Sequence, residues 1–138
     1  MSKVYKGGCA CGALRYEKTG SPAAELLCQC VQCRQRSGAG HSGYLVFADH
    51  DDLTMTGPVQ SWSIAGDSGN LKHHAFCPTC GTPVFISFAA APQMIAFHPG
   101  SLDDPSQFAP QFVTYAARGQ AWDALPAGLQ RFATMPTG

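Results

Sequence analysis

Residues 28–33 read Cys-Gln-Cys-Val-Gln-Cys, and Arg34 follows directly. Cys28, Cys30 and Cys33, here called the central triple, can converge on one soft metal ion, because a tight turn between the last two brings their sulfurs together. Zinc is the metal that this spacing indicates first. A tetrahedral zinc takes four ligands, and the motif holds no fourth Cys, His, Asp or Glu. The stretch therefore predicts a site with one coordination position left for water or substrate.

The other four cysteines form an N-terminal pair, Cys9 and Cys11, and a knuckle pair, Cys77 and Cys80. Glycines flank the first pair, and Gly81 follows the second, so each pair suits a tight turn. Strand-like residues on both sides of the knuckle pair predict a zinc knuckle. Seven cysteines cannot all form internal disulfides, and short-range clustering indicates metal ligation in a reducing compartment. The alternatives are free buried thiols or a redox pair.

Spacing alone leaves two groupings of these cysteines open. In one, the N-terminal pair and the knuckle pair form a closed four-thiolate site, and the central triple forms the open site. In the other, Cys30 and Cys33 combine with the knuckle pair in a double C-x-x-C site. That grouping leaves Cys28 and the N-terminal pair unassigned.

The length and the net charge limit the number of domains and the class of partner that the chain can have. The chain has 138 residues, which suits a single domain over 1–138, and nine Lys and Arg balance nine Asp and Glu. The zero net charge and the lack of a basic run argue against nucleic acid or a membrane surface as partner, so a small molecule is expected. Residues 1–8 lack the apolar core of a signal peptide, and no apolar run approaches a transmembrane length. We therefore expect a cytoplasmic protein.

Short alternating segments separated by Gly, Pro and Asp turns predict a mainly β fold of antiparallel sheets, with zinc sites stapling the loops. Residues 53–57 and 59–64 are interpreted as a hairpin closed around Gly57-Pro58. Residues 112–115 are expected to form the last core strand. The segment 122–132 contains Pro and Gly and predicts at most a short helix.

Three stretches together resemble a known family. They are Gly8-Cys9-x-Cys11-Gly12-x-x-x-Tyr16, Cys28-x-Cys30-x-x-Cys33-Arg34-x-x-Ser37-Gly38 and Phe76-Cys77-x-x-Cys80-Gly81. In this order and spacing they look like the glutathione-dependent formaldehyde-activating enzyme family, which includes centromere protein V. The resemblance spans most of the chain and continues through residues 100–105.

The resemblance implies a fold like that of methionine sulfoxide reductase B. It also implies two zinc ions, a structural one on the N-terminal and knuckle pairs and a catalytic one on the central triple, which favours the first grouping. Gln29 is a departure, since many family members would have His there. The three sulfurs are intact, so the departure concerns substrate contacts beside the metal.

The reaction implied by the resemblance is that of a carbon-sulfur lyase. Glutathione would supply its thiol as the fourth zinc ligand and meet formaldehyde, so that S-hydroxymethylglutathione is formed or cleaved. Three thiolates already give the zinc site a net negative charge, and a fourth needs compensation. Arg34, assigned to the catalytic site with the central triple, and Arg36 are the candidates for that positive charge.

A rival interpretation is a binding module without catalysis, in which glutathione or a protein partner docks at the central triple. Both zinc ions would be structural if a fourth protein ligand closed the second site. The candidates for that ligand are His41, His73, His74 and His98, and His41 is favoured because it follows the central triple in a glycine-rich loop.

Overall fold

A computed structural model describes residues 3–136 and arranges them as a three-stranded sheet and an eight-stranded sheet. One short α-helix and three single-turn 3₁₀ helices, Pro99–Ser101, Pro105–Gln107 and Ala116–Arg118, complete the described secondary structure. The elements in chain order are β1 (Val4–Gly8), β2 (Arg15–Thr19), β3 (Ala24–Cys28), α1 (Val31–Ser37), β4 (Ser42–Phe47), β5 (Leu53–Thr56), β6 (Gln60–Ala65), β7 (Leu71–Phe76), β8 (Pro83–Phe88), β9 (Ile95–Phe97), β10 (Phe112–Thr114) and β11 (Gln130–Arg131).

The small sheet has the strand order β1-β2-β5 and is antiparallel. Its buried Tyr5 and Tyr16 pack against Phe47 and Phe97 of the large sheet. The Tyr16 ring stacks on Phe97 with centroids 4.1 Å apart, and Tyr5 meets Phe47 edge to face at 5.5 Å. These aromatic contacts join the two sheets through one core.

The large sheet has the order β11-β10-β3-β4-β9-β8-β7-β6 and buries side chains on both faces. Because side chains alternate along a strand, Leu45 and Phe47 of β4 face the small sheet, while Tyr44 and Val46 face the other way. The second face carries a separate buried cluster that includes the central triple. The sheet therefore separates the aromatic core from the face on which the central triple lies.

Helix α1 begins directly after Cys30, whose sulfur accepts a hydrogen bond from the Cys33 amide at 3.3 Å. Gly38 ends the helix at φ 74°, a left-handed conformation that glycine adopts freely. The tight turn expected between the two cysteines is thus the first turn of a helix. The two sulfurs still meet, because residues three apart share one face of a helix.

The hairpin expected around Gly57-Pro58 is wrong. β5 pairs with β2 in the small sheet, whereas β6 pairs with β7 at the edge of the large sheet. Leu53 and Met55 of β5 pack on the aromatic core, while nearly all side chains of β6 are exposed. Gly57 permits the crossing between sheets, since its φ is 101° and a Cβ there would lie 1.8 Å from the carbonyl oxygen of Ala13.

The mainly β prediction is confirmed, and most strand pairs are antiparallel. β10 differs, because it runs parallel to both β3 and β11. The short β11 follows the segment expected to be the last strand, and the structure assigns no helix within residues 122–132. The likeness to methionine sulfoxide reductase B stays a prediction. No helix within residues 3–136 has the length and apolar character of a membrane span.

Candidate functional site

A four-thiol cluster joins the two sheets. Cys9 and Cys11 lie in the turn after β1, and Cys77 and Cys80 lie in the turn between β7 and β8. Their sulfurs all lie within 4.8 Å of one another, with 3.6 Å between Cys9 and Cys11 and 3.8 Å between Cys11 and Cys77. Thiolates bound to one tetrahedral zinc at about 2.3 Å lie about 3.8 Å apart. The donor set and spacing of this cluster therefore fit a zinc ion.

Hydrogen bonds from neighbouring groups favour the thiolate form of two of these cysteines, Cys9 and Cys80, whereas the hydrogen bond with Cys9 contributes to the raised pKa of Cys11. The Leu14 amide donates to the Cys9 sulfur at 3.3 Å and lowers the pKa of Cys9. The Thr82 hydroxyl lies 3.2 Å from the Cys80 sulfur and lowers the pKa of Cys80 to about 5. The same hydroxyl oxygen accepts a bond from the Ala10 amide at 3.0 Å, which ties the two turns together. Thiolate is the form that binds metal.

The central triple forms the second cluster, and the end of β3 and the start of α1 position it. The sulfurs of Cys28, Cys30 and Cys33 lie within 4.8 Å of one another, and each residue is 8% exposed or less. Within residues 3–136 no further Cys, His, Asp or Glu joins this group. The triple therefore offers three ligands to a metal and leaves the fourth position without a protein donor.

The three thiols share their protons unequally. A hydrogen bond from Cys28, and then one from Cys33, lowers the pKa of Cys30 to about 2. The pKa of Cys33 is raised, first by its bond with Cys28, and the pKa of Cys28 is raised by its bond with Cys30. Cys30 is therefore the thiol of the three that most readily forms a thiolate, and a cation bound by all three sulfurs would favour the thiolate form of each.

An arginine is linked to the central triple through a tyrosine. The Tyr44 hydroxyl lies 3.0 Å from the Cys33 sulfur, and Arg36 donates a hydrogen bond to the same hydroxyl. Arg36 also contacts Nε2 of His98, whose Nδ1 donates to the Gly43 carbonyl at 3.0 Å. Burial, and then the charge of Arg36, lowers the pKa of His98 to about 3, so this histidine is neutral and accepts from the guanidinium.

His41 is placed away from the sulfurs of the central triple. Its Nδ1 lies 2.9 and 3.0 Å from the two carboxylate oxygens of Asp123. The Gln29 amide donates to the same carboxylate at 3.1 Å. Gln29, the departure within the cysteine motif, therefore anchors the chain after β10 together with His41. His73 bonds to Ser63 at 2.6 Å and is likewise outside the group of three sulfurs.

Arg34 lies on α1 beside Cys33 and is half-buried. The hydrogen bonds found for it use its main chain, with its amide donating to the Cys30 carbonyl at 3.0 Å and its carbonyl accepting from the Gly38 amide at 3.1 Å. Of the two arginines named from the sequence, Arg36 is thus the one with a hydrogen-bonded connection to the central triple.

The central triple lines a cavity of about 560 Å³. Its floor is the second face of the large sheet, where strands contribute Leu26, Val46, Ile86 and Ala96. The turn between β6 and β7, residues 66–70, forms a polar part of the wall. Pockets of this size are typical small-molecule sites. The sulfurs therefore lie where a bound small molecule can reach them.

Comparison with known sequences identifies the family. A sequence profile described as glutathione-dependent formaldehyde-activating enzyme matches residues 4–118. The chain belongs to this family. A crystal structure of a Rhodobacter sphaeroides protein has the same fold, with a TM-score of 0.55, 22% identity, and coverage of 74% of this chain and 93% of that one. No curated protein matches the chain.

The family match includes all seven cysteines and agrees with the resemblance carried by their spacing. It ends at residue 118, before the Asp123 carboxylate that Gln29 and His41 hold. The family description names glutathione and formaldehyde, which indicates small-molecule chemistry.

Two residues beside the central triple were not identified from the sequence. Tyr44 is buried, and its hydroxyl bonds to Cys33. The available signal was that a buried tyrosine hydroxyl needs a partner. Lys72 on β7 lines the cavity, and Asp67 is the other Lys, Arg, Asp or Glu among the described lining residues. Nothing in the local sequence distinguishes Lys72 from an exposed strand lysine.

Proposed function

We propose that this protein is a carbon-sulfur lyase that forms or cleaves S-hydroxymethylglutathione. One observation carries the proposal: three buried thiols, with no fourth protein donor within residues 3–136, line a cavity of small-molecule size. A purely structural zinc site is expected to use four protein ligands, as the four-thiol cluster offers. The family description supports glutathione and formaldehyde as the reactants.

We assign two zinc ions to the chain. The four-thiol cluster would hold a structural ion, and Cys28, Cys30 and Cys33 would hold the catalytic one. A zinc ion held by Cys28, Cys30 and Cys33 would supply positive charge, which would lower the pKa of an incoming glutathione thiol. A thiol-rich metal site and a glutathione substrate both suit the reducing cytoplasm, which is where we place the protein.

Residues of the chain support this reaction by balancing charge. Tyr44 donates toward the Cys33 sulfur, and Arg36 donates to the Tyr44 hydroxyl in turn. The guanidinium charge thereby polarises the hydroxyl, and the polarised hydroxyl stabilises negative charge on the sulfur. Arg34, next to Cys33 in the chain, is assigned a secondary role in the same charge balance. The half-buried setting of Arg36 keeps this interaction from being fully screened by water.

The reaction needs no further reactant. In the forward direction, the glutathione sulfur bonds to the carbon of formaldehyde, and the electron pair of the carbonyl bond moves to oxygen. The proton lost by the thiol ends on that oxygen as a hydroxyl. Cleavage reverses each step. Because thiols add to formaldehyde without help, catalysis means a rate above that of glutathione and formaldehyde alone.

Zinc content and exchange rate test this proposal together. Native mass spectrometry of the wild type should show two zinc ions and a glutathione adduct. Cys30→Ser should keep one zinc, lose the adduct and lose the acceleration of exchange between glutathione and S-hydroxymethylglutathione measured by NMR. Gln35→Ala, at an exposed position on the same helix, is the matched control and should behave as the wild type.

Two results would contradict the proposal. Glutathione binding that needs the central triple but gives no zinc-dependent acceleration would make the protein a binding module. Loss of a zinc ion in His41→Ala would mean that the second site is closed by a fourth protein ligand. The contact of His41 with Asp123 leads us to expect two zinc ions in that variant.

A further inference from the structure

The cavity beside the central triple is far more apolar than formaldehyde requires. Its floor combines Leu26, Val46, Ile86, Phe88 and Met94 from neighbouring strands and the turn before β9. A hydroxymethyl group consists of one carbon and one oxygen and would leave this surface in contact with water. Uncovered apolar surface next to a reactive site favours a ligand that carries hydrocarbon.

Glutathione itself does not account for the floor. It carries two carboxylates and an ammonium group, and charged groups are costly to bury without partners. The charged side chains of the described lining, Asp67 and Lys72, lie in or next to the turn between β6 and β7. The cavity thus has a polar wall that suits the charged ends of glutathione and an apolar floor that suits another group.

We infer that the electrophile joined to glutathione at this site is a larger apolar aldehyde, with an alkyl chain or a ring that lies on this floor. The inference rests on the carbon-sulfur lyase chemistry of the proposed function and extends its electrophile from formaldehyde to larger aldehydes. The sulfur bonds to the aldehyde carbon, the carbonyl electron pair moves to oxygen, and that oxygen takes the thiol proton. The product is a thiohemiacetal that contains all atoms of both reactants, and cleavage returns them.

Binding of stable S-alkylglutathiones tests the apolar floor without turnover. We expect calorimetric affinity for the zinc-loaded protein to rise from S-methyl- through S-butyl- to S-hexylglutathione, by up to roughly fourfold for each buried methylene. An affinity that does not change with chain length would overturn the inference.

A matched pair of variants locates the effect. Ala24 lines the cavity and is half-buried, whereas Ala23 is exposed and does not line it. Ala24→Leu should remove most of the preference for S-hexyl- over S-methylglutathione, and Ala23→Leu should keep it. Equal loss or equal retention of the preference in both variants would place the alkyl chain outside this cavity and contradict the inference.

Turnover separates this inference from the proposed function. The wild type should accelerate the addition of glutathione to hexanal with a higher kcat/KM than its addition to formaldehyde. Acceleration of formaldehyde but not hexanal would overturn the inference and leave the proposed function intact. Suppose that the affinity for S-alkylglutathiones rises with chain length but that the protein accelerates the reaction of glutathione with no aldehyde. This result would refute the lyase activity and leave only an apolar binding site.

Discussion

The two cysteine clusters differ both in exposure and in the number of protein ligands that they offer to a metal. The more exposed cluster offers four ligands, whereas the buried one offers three. The four-thiol cluster lies near the surface, with Cys11 and Cys80 exposed, yet its ligands already suffice for a tetrahedral zinc. The central triple is buried on all three residues, yet it lacks a fourth donor within residues 3–136. Chemical access to a metal therefore depends on the free coordination position and on the cavity, and not on how exposed the ligands are.

The position of each cluster in the fold agrees with the roles proposed for them. The four-thiol cluster connects the turn after β1 of the small sheet to the turn between β7 and β8 of the large sheet. The central triple lies at the end of one strand and the start of one helix and joins no distant turns. Loss of the first cluster should damage folding, and loss of the second should damage chemistry.

The largest expected effect is that of Cys77→Ser. Cys77 is fully buried and belongs to the cluster that joins the two sheets, so its loss would remove the zinc ion that we assign to this cluster. We expect the melting temperature to fall by roughly 10 °C or more, or folding to fail. Circular dichroism with heating measures this. An unchanged melting temperature together with loss of one zinc would mean that the cluster does not hold the sheets together.

Metal removal should separate the clusters in one sample. We expect a competing chelator to remove one zinc with loss of glutathione binding while the circular dichroism spectrum stays folded, because three protein ligands hold a metal less firmly than four. The second zinc should leave only with unfolding. Zinc released in a single step with unfolding would contradict the distinction between a closed and an open site.

Tyr44→Phe tests the charge relay at the central triple. Removal of the hydroxyl breaks its contacts with Cys33 and Arg36 and leaves the ring in place. We expect kcat/KM for the exchange of S-hydroxymethylglutathione to fall about 10-fold to 100-fold, the usual cost of an altered neighbour of a metal ligand. Tyr16→Phe, which alters a buried hydroxyl in the other core, is the control. Equal rates in the two variants would remove Tyr44 from the mechanism.

The smallest expected effect is on the stability of the fold in acid. This effect is independent of metal and has to be subtracted when loss of metal in acid is measured. Burial lowers the pKa of His74 to about 4. The usual pKa of histidine is about 6.5. Between pH 6.5 and pH 4 the imidazole is therefore protonated in the unfolded chain and neutral in the folded one, so the free energy of unfolding falls as the pH drops through this range. From pH 6.5 to 5 the loss attributable to His74 is about 2 kcal/mol.

His74→Phe should therefore reduce the loss of unfolding free energy between pH 6.5 and 5 by about that 2 kcal/mol. The substituted ring keeps the stacking position against Trp62, where the ring centroids are 4.5 Å apart. His50→Phe, at an exposed position, should show the slope of the wild type. Urea titrations at several pH values supply the comparison, and identical slopes in all three proteins would exclude His74 as a source of acid sensitivity.

The parts of the fold set by local pattern could be predicted from the sequence. The strand-turn-strand unit around the knuckle pair follows from C-x-x-C-Gly flanked by strand-like residues. Strand partners could not be obtained this way, because alternation defines a strand and not its neighbour. The failure at Gly57-Pro58 shows this, since β5 and β6 each pattern as strands but join different sheets.

The candidate site was predictable in its cysteines and not in its surroundings. The spacing of the thiols leaves two groupings open, and the family resemblance decides between them. The structure brings the same two groups of sulfurs together. Tyr44 lies on β4, the strand that follows α1, and Lys72 lies on the more distant β7, so the approach of both to the triple depends on how the strands are ordered in the sheet. Arg34 was favoured by its adjacency in sequence, whereas Arg36 has the hydrogen-bonded route.

The parallel insertion of β10 beside β3 has a consequence for biosynthesis. The central triple leaves the ribosome about 80 residues before β10, an interval of roughly 4 to 16 s at common translation rates. The ribosome makes five residues of the cavity wall only after the central triple: Phe112, Thr114, Tyr115, Met135 and Pro136. The nascent chain thus presents these three thiols to metal donors and to oxidants for seconds before later residues enclose them.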